Sequence, residues 1–310
     1  MRKRFGSTTR TVRPGSSASL VLAVVFILAL GLPIAAPAQD ALAPPQALVL
    51  DGVPAVRAGL AADVGRYTEF KPTGFSGWHP QHLEMLVSRR HKNTAQIYRL
   101  AAPGAGIELL TDFPEPVRSA SYQPTTGKYF LFGKDSGGNE VFRLYRSDSG
   151  GAPSTAVAIS SEDRRVQALA WSNRGDRVVY TSVPVGRKGS DDKVQSEVHI
   201  ANPLKPETDK VIAELPGGGW FGFTWSPDDK RLVFLEYVSA NESYLWIMDV
   251  ASGKRRRLIE KTSGEPVLYA ETKFSRDGKG LYTVTDRGTE FRTLNYVDLA
   301  TLKHTPLSAA

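Results

Sequence analysis

After residue 70 the chain consists of short apolar runs separated by turn residues, a pattern that predicts β-strands. The clearest stretch has one aromatic-rich run ending at Trp225 and a second from Arg231 to Tyr237. The chain turns again near Asn241, and two further runs follow, Tyr244 to Val250 and Arg255 to Ile259. Runs of β-branched and aromatic residues bounded by such turns are typical of paired antiparallel strands. We therefore predict a four-stranded meander in this segment.

The same unit recurs along the chain. Five segments begin with an aromatic residue and continue into a turn rich in Pro, Asn, Asp or Gly; the aromatic positions are Trp78, Tyr122, Trp171, Trp225 and Phe274. Their separations of 44, 49, 54 and 49 residues fit a propeller blade of about 40 to 50 residues. The fold class predicted is therefore all-β, a β-propeller with five recognisable four-stranded blades. We expect the five aromatic side chains to lie in the core between blades.

The repeat sets the predicted domain boundaries. Residues 1–38 are assigned to a signal peptide, 39–69 to a linker or lead-in that is either a short helix or a strand, and 70–310 to the propeller. Within the propeller the units are about 70–117, 118–166, 167–219, 220–267 and 268–310.

The N-terminus has the three-part layout of a secretory signal peptide. Five basic residues between Arg2 and Arg13 precede the apolar run Leu20 to Leu30, and Ala36-Pro37-Ala38 offers small residues for cleavage. An uncleaved membrane anchor is the alternative, because the run extended to Ala38 reaches about 20 residues. We expect cleavage after Ala38 and a periplasmic or secreted protein. Losing these five basic residues lowers the formal charge from +7 to +2, so the basic composition does not indicate nucleic-acid binding.

The candidate catalytic and metal-binding residues lack the spacing that their chemistry requires. Ser149 lies in a small-residue stretch that matches the serine loop of trypsin-like peptidases only superficially, and we predict a turn there. The sequence has no cysteine and no Gly-x-Ser-x-Gly nucleophile elbow. Its histidines show no metal-binding spacing and are expected to be surface or turn residues; they are His79, His82, His91, His199 and His304. We expect no catalytic residue, no metal ligand and no cofactor site.

Two further groups of polar residues were considered as sites. Asp148, Asp249 and Asp298 each end a predicted third strand, and we expect their carboxylates to accept hydrogen bonds from the following turn. The charged loop Pro184 to Gln195, which includes Arg187, is an insertion in the third unit. Such a loop either carries binding groups or is a tolerated insertion, and the sequence leaves both interpretations open.

The repeated aromatic-Ser-Pro-Asp-x-Lys pattern resembles the propeller repeats of the periplasmic protein TolB and of the prolyl oligopeptidase family of serine peptidases. The stretch Asp135 to Arg146, with Gly-Gly-Asn-Glu at Gly137 to Glu140, resembles the dipeptidyl-peptidase-like and acylaminoacyl-peptidase-like peptidase branches more than TolB. The resemblance covers about residues 70–310. It implies a ring of seven or eight blades, of which five are recognisable, ahead of a C-terminal α/β-hydrolase domain with a Ser-Asp-His triad. None of the family's catalytic residues has a matching position here.

The function predicted from this resemblance is a non-catalytic, substrate-gating or substrate-binding propeller of an exported peptidase, truncated before its hydrolase domain. Its partners would be a peptide substrate, or a protein on one propeller face, and the missing domain. The alternative is a TolB-like protein-interaction propeller, although residues 39–69 are too short for the α/β domain that TolB carries. An independent glycosidase would need two carboxylates meeting in the central channel, and the repeat supplies no such pair.

Overall fold

The computed structural model describes residues 40–186, 193–260 and 264–309. The predicted signal peptide and most of the charged loop after Pro184, including Arg187, lie outside the described residues. The chain divides into two units, residues 1–70 and 71–310. In the first unit, helix α1 (Ala58–Thr68) follows a bridge between Ala41 and Arg57, so the lead-in contains a helix. In the described part of the chain, no helix has the length and apolar character needed to span a membrane.

The second unit contains five antiparallel sheets, each with four strands that pair in sequence order. Sheets 1 and 2 comprise β1 (Thr73–Trp78), β2 (Met85–His91), β3 (Thr94–Leu100), β4 (Ile107–Leu109), β5 (Arg118–Tyr122), β6 (Tyr129–Lys134), β7 (Arg143–Asp148) and β8 (Val157–Ala158). Sheet 3 comprises β9 (Arg164–Trp171), β10 (Val178–Pro184), β11 (Gln195–Asn202) and β12 (Lys205–Pro216). Sheets 4 and 5 comprise β13 (Trp220–Trp225), β14 (Arg231–Ser239), β15 (Glu242–Asp249), β16 (Arg255–Arg257), β17 (Tyr269–Phe274), β18 (Gly280–Thr285), β19 (Thr293–Asp298) and β20 (His304–Pro306).

This arrangement confirms the predicted β-propeller of four-stranded units. The second strand of each sheet contains an apolar stretch, most clearly in β6, where Phe130, Leu131 and Phe132 are fully buried. A strand that is buried on both faces has an almost continuously apolar sequence, because neighbouring sheets cover it from either side. The first strands of successive sheets also pack beside one another, β1 with β5, β9 with β13 and β13 with β17. They are therefore the inner strands.

Four hydrophobic clusters join the five sheets in sequence order. One cluster is shared by sheets 1 and 2, one by sheets 2 and 3, one by sheets 3 and 4, and one by sheets 4 and 5. Each cluster takes side chains from the faces that two consecutive sheets turn toward each other. Among the described residues, no cluster combines sheet 5 with sheet 1. The core of the second unit is thus divided into layers between consecutive sheets.

The aromatic positions that mark the repeat join each sheet to the preceding one. The Tyr122 hydroxyl donates to Glu84 Oε1 at 2.6 Å, Trp171 Nε1 donates to Ser121 Oγ at 3.1 Å, and Trp225 Nε1 donates to the Ala170 carbonyl at 3.2 Å. Such polar tips explain why Tyr and Trp serve at these junctions. The indole of Trp78 differs, contrary to the sequence prediction of a core position, and is 58% exposed. It belongs to β1, in the first sheet of the described residues.

Candidate functional site

An irregularity recurs in the first strand of every sheet. The pairing between first and second strands shifts register at one point in each sheet, near Ser76, Ser119, Gln167, Gly222 and Glu271 respectively. Three of these residues have positive φ angles, including 54° at Ser119 and 25° at Glu271. A β-bulge adds one residue to its strand and turns side chains away from the regular alternation. Each inner strand therefore contains a displaced residue, two to four positions before the aromatic residue at its end.

Three of these bulges border one cavity, which we call the bulge recess. It has a volume of 530 Å³, and its wall includes Ser76 of β1, Ser119 of β5 and Gln167 of β9, with Phe142 and Arg143 from the start of β7. A second cavity of 740 Å³ shares Gln167 and also includes Arg165 and Lys193. Both volumes fall in the range of small-ligand pockets. The bulges thus create the concave surface that a ligand would require.

The Gly-Gly-Asn-Glu hairpin between β6 and β7 supports one wall of the bulge recess. Glu115 Oε1 accepts a hydrogen bond from the Gly137 backbone N–H at 3.0 Å, and Asp135 Oδ2 accepts one from the Glu140 backbone N–H at 2.9 Å. The hydrogen bond from Gly137 lowers the pKa of Glu115 below its usual value. These contacts fix the hairpin end, which leads directly into Phe142. The motif that suggested a peptidase therefore positions a residue of the recess.

The charged residues that line the two cavities are basic. The Arg118 guanidinium lies 4.3 Å from the centre of the Phe142 ring, a cation–π contact. Arg143 pairs with the exposed carboxylate of Glu162 at 3.2 Å. Among the described residues, neither cavity wall includes an acidic side chain. Of these lining residues, Arg143 is paired with a carboxylate, and Arg118 has an aromatic contact instead.

Gln167 separates the two cavities and has an unsatisfied amide. Its Oε1 atom is buried and has no hydrogen-bond partner among the described residues. A buried polar group without a partner costs free energy, so such groups usually have an explanation. Because this oxygen is closed to solvent as the side chain stands, a ligand N–H or O–H group would bond to it after the Gln167 side chain rotates toward either cavity. The amide is the feature of the bulge recess that most directly indicates binding.

A Ser–His–Asp constellation lies elsewhere in sheet 3. Ser182 Oγ is 2.9 Å from His199 Nε2, and His199 Nδ1 is 2.9 Å from Asp209 Oδ2. Tyr180 stacks on the imidazole at 4.4 Å and donates its hydroxyl to the same Asp209 oxygen at 2.8 Å. No sequence motif predicts this group, although a polar serine within the apolar run of β10 is a signal of a buried hydrogen bond.

The geometry of this group is unsuited to nucleophilic attack. Ser182 is 1% exposed, and its Oγ accepts a hydrogen bond from Arg164 Nε at 2.7 Å. A serine nucleophile must reach a substrate carbonyl as well as its base, and this hydroxyl is covered. The constellation acts as a hydrogen-bond network that satisfies buried polar groups on three strands. It also shows that the surface or turn prediction for His199, which is 4% exposed, is wrong, because Tyr180 and Asp209 enclose the ring.

The other residues considered from sequence are spread over the propeller. His79 stacks on His82 at 4.6 Å, His91 lies 3.8 Å from Asp112, and His304 Nε2 lies 3.2 Å from the Tyr269 hydroxyl. Among the described residues, no three His, Asp or Glu side chains are grouped in a way that could hold a metal ion.

The turn residues behave largely as their positions in the repeat indicate. Ser149 lies in the turn between β7 and β8 and donates its hydroxyl to the Gly127 carbonyl at 2.6 Å. The carboxylates of Asp249 and Asp298 accept hydrogen bonds from the backbone and hydroxyl of Ser252 and Thr301. Asp148 differs, since its backbone carbonyl, at 3.0 Å from the Gly151 N–H, closes the turn.

Comparison with solved structures identifies other propeller proteins. A prolyl endopeptidase matches with a TM-score of 0.60 at 16% identity, over 80% of this chain and 38% of that chain. An oligogalacturonate lyase in complex with manganese matches with a TM-score of 0.59 at 14% identity, over 77% and 67% of the two chains. A putative TolB from Agrobacterium tumefaciens matches with a TM-score of 0.50 at 14% identity, over 77% and 81%. No family model and no curated protein matches the sequence.

These likenesses confirm the fold and the resemblance of the repeats to prolyl oligopeptidase-type and TolB-like propellers. The chain spans less than half the length of the prolyl endopeptidase that it matches. At these identities the likeness concerns the fold alone, since one fold supports many functions.

Proposed function

We propose that this chain is the propeller part of an exported, prolyl oligopeptidase-like serine peptidase, and that it admits and binds the peptide while other residues perform hydrolysis. The observation that carries the proposal is the bulge recess with the unsatisfied Gln167 amide. A peptide main chain offers a donor and an acceptor at every residue, so it can satisfy this amide in either orientation. The Gly-Gly-Asn-Glu hairpin beside the recess supports the peptidase interpretation over the TolB-like one.

The absence of hydrolysis is part of the proposal. The Ser182 hydroxyl is enclosed, and attack on a peptide carbonyl needs an accessible nucleophile with an oriented base. We expect export by the predicted signal peptide and a periplasmic or secreted location. A lyase-like activity has less support, since the matched lyase holds manganese and the described residues provide no metal-binding group.

The test is a calorimetric titration of the full chain with unstructured hexapeptides of mixed composition, followed by mass spectrometry of the peptides. We expect saturable binding and intact peptides. Replacement of Gln167 by Leu, which keeps the volume and removes the amide, should weaken binding about tenfold, the effect of losing one or two hydrogen bonds. The matched control is Gln81→Leu, because Gln81 lies in an exposed turn outside both cavities.

Three results would contradict the proposal. Absence of peptide binding would remove the substrate-binding role. Cleavage of the peptides, or labelling of the chain by a serine-reactive fluorophosphonate, would show an activated nucleophile. Tight binding of a folded envelope protein, together with indifference to short peptides, would favour the TolB-like alternative.

A further inference from the structure

The charge of the bulge recess specifies its ligand more closely than a peptide of any sequence. This inference rests on the proposed peptide-binding function and concerns the same site. The two adjoining cavities include four basic residues, Arg118, Arg143, Arg165 and Lys193, and no acidic residue among those described. Basic side chains that face a cavity with low-dielectric walls concentrate anions there.

The four basic groups differ in how far they are already neutralised. Arg143 has an ion pair with Glu162 at 3.2 Å. Arg118 contacts the Phe142 ring but has no carboxylate partner among the described residues, and the same holds for Arg165. The cation–π contact orients the Arg118 guanidinium without occupying its N–H groups. The Arg118 guanidinium is therefore oriented and available to bind a carboxylate. Arg165 is the second such group and lines the adjoining cavity, which meets the bulge recess at Gln167.

A third cavity in the same unit has both basic and acidic lining residues. That cavity, 550 Å³ in volume, lies between sheets 3 and 4 and contains Arg174, Arg177 and Lys230 together with Asp228 and Asp249. Its charges of opposite sign can compensate one another within the wall. The bulge recess and the cavity that adjoins it at Gln167 differ from this cavity because their described lining residues include basic side chains and no acidic one.

We propose that the bulge recess and the adjoining cavity select acidic peptide segments, with Arg118 receiving a Glu or Asp carboxylate and Gln167 bonding the peptide main chain. The carboxylate and the guanidinium can form a paired, charge-assisted hydrogen bond, which is stronger than a neutral one. The main-chain contact is what favours a peptide over an anionic oligosaccharide. An oligosaccharide supplies carboxylates for Arg118 but has no regular succession of amides for Gln167.

The experiment measures binding of the full chain to three capped, unlabelled hexapeptides by calorimetry. They have identical lengths and differ only in carrying Glu, Gln or Lys at two central positions, and trigalacturonate is the fourth ligand. At about 50 mM salt we expect the Glu peptide to bind about tenfold more tightly than the Gln peptide, and the Lys peptide to bind least. The preference should shrink at about 500 mM salt, where exposed charges are screened.

Two variants locate the effect. Arg118→Gln should reduce the roughly tenfold preference for the Glu peptide to nearly equal binding of the Glu and Gln peptides. Arg256→Gln is the matched control, because Arg256 is an exposed arginine on β16 that lines neither cavity, and the preference should persist. Circular dichroism of both variants verifies that they are folded.

Each other result overturns the inference in a distinguishable way. Equal binding of the Glu and Gln peptides would leave the peptide-binding function standing and remove the charge preference. Tighter binding of trigalacturonate than of the Glu peptide would assign the site to an anionic oligosaccharide. Failure of all three peptides to bind would overturn the proposed function together with this inference.

Discussion

The buried carboxylate of Asp229 joins sheets 3 and 4, and its removal should destabilise the propeller measurably. Asp229 lies in the turn before β14 and is 3% exposed. It accepts hydrogen bonds from the backbone N–H of Asn173 at 2.8 Å, from Asn173 Nδ2 at 2.7 Å and from the backbone N–H of Arg174 at 3.1 Å. These three bonds link the turn of one sheet to the turn of the next.

The expected effect follows from the number of bonds and from the backbone conformation. Hydrogen bonds to a charged group contribute about 1.5 kcal/mol or more each, so losing three lowers the free energy of unfolding by about 4 kcal/mol in Asp229→Ala. Asp229 has a φ of 55°, a left-handed conformation that costs a non-glycine residue about 1 kcal/mol. Asp229→Gly removes this strain as well, so its net loss should be about 3 kcal/mol. Either loss is a large part of a typical domain stability of about 5 to 15 kcal/mol.

The assay is urea unfolding followed by tryptophan fluorescence, to which Trp225 at this junction contributes. The urea concentration at the unfolding midpoint should fall, while the slope of unfolding free energy against urea concentration should stay constant. Asp228→Ala is the matched control: Asp228 is the exposed neighbour in the same turn and bonds only within that turn, so its loss should be below about 1 kcal/mol. An unfolding free energy of Asp229→Gly within about 0.5 kcal/mol of that of the unmodified chain would refute the stabilising role of the Asp229 carboxylate.

Three further predictions concern single groups. Burial raises the pKa of Tyr122, so its phenol should stay neutral above pH 10 in an ultraviolet titration. The free energy of unfolding should fall as pH rises beyond about 10, the pKa of tyrosine in the unfolded chain. Ionisation of Tyr122 near pH 10 would contradict this. A side chain at Gly253 (φ 67°) would collide with the Ile212 carbonyl, so Gly253→Ala should cost about 1 to 3 kcal/mol in urea unfolding, and an unchanged midpoint would disprove the clash. The Thr301 hydroxyl lowers the pKa of Asp298, so the free energy of unfolding should decrease as pH falls below the usual Asp range. Thr301→Val should make this decrease smaller. The same dependence of unfolding free energy on pH in both chains would argue against the contact.

The repeat made the architecture predictable, whereas the site depended on details that one sequence does not reveal. Strands β13 to β16 could be located within a few residues, because apolar runs and turn residues alternate clearly there. The bulge at Gln167 could not be predicted, since β9 packs apolar residues on both faces and so has no single alternation that an extra residue would visibly interrupt. The same limit applies to His199 and to Asp229, whose burial depends on contacts with distant parts of the chain.

The sequential layering of the core has a consequence for how the molecule opens. In the part of the chain that the structure describes, sheets 2, 3 and 4 each share hydrophobic clusters with two neighbours, while sheets 1 and 5 each share one. In a chain built this way, local opening requires breaking fewer contacts at the end sheets. Amide hydrogens of β2 and β18 should therefore exchange with deuterated solvent sooner than those of the equivalent strand β10, so that fraying proceeds from both ends toward the central sheet.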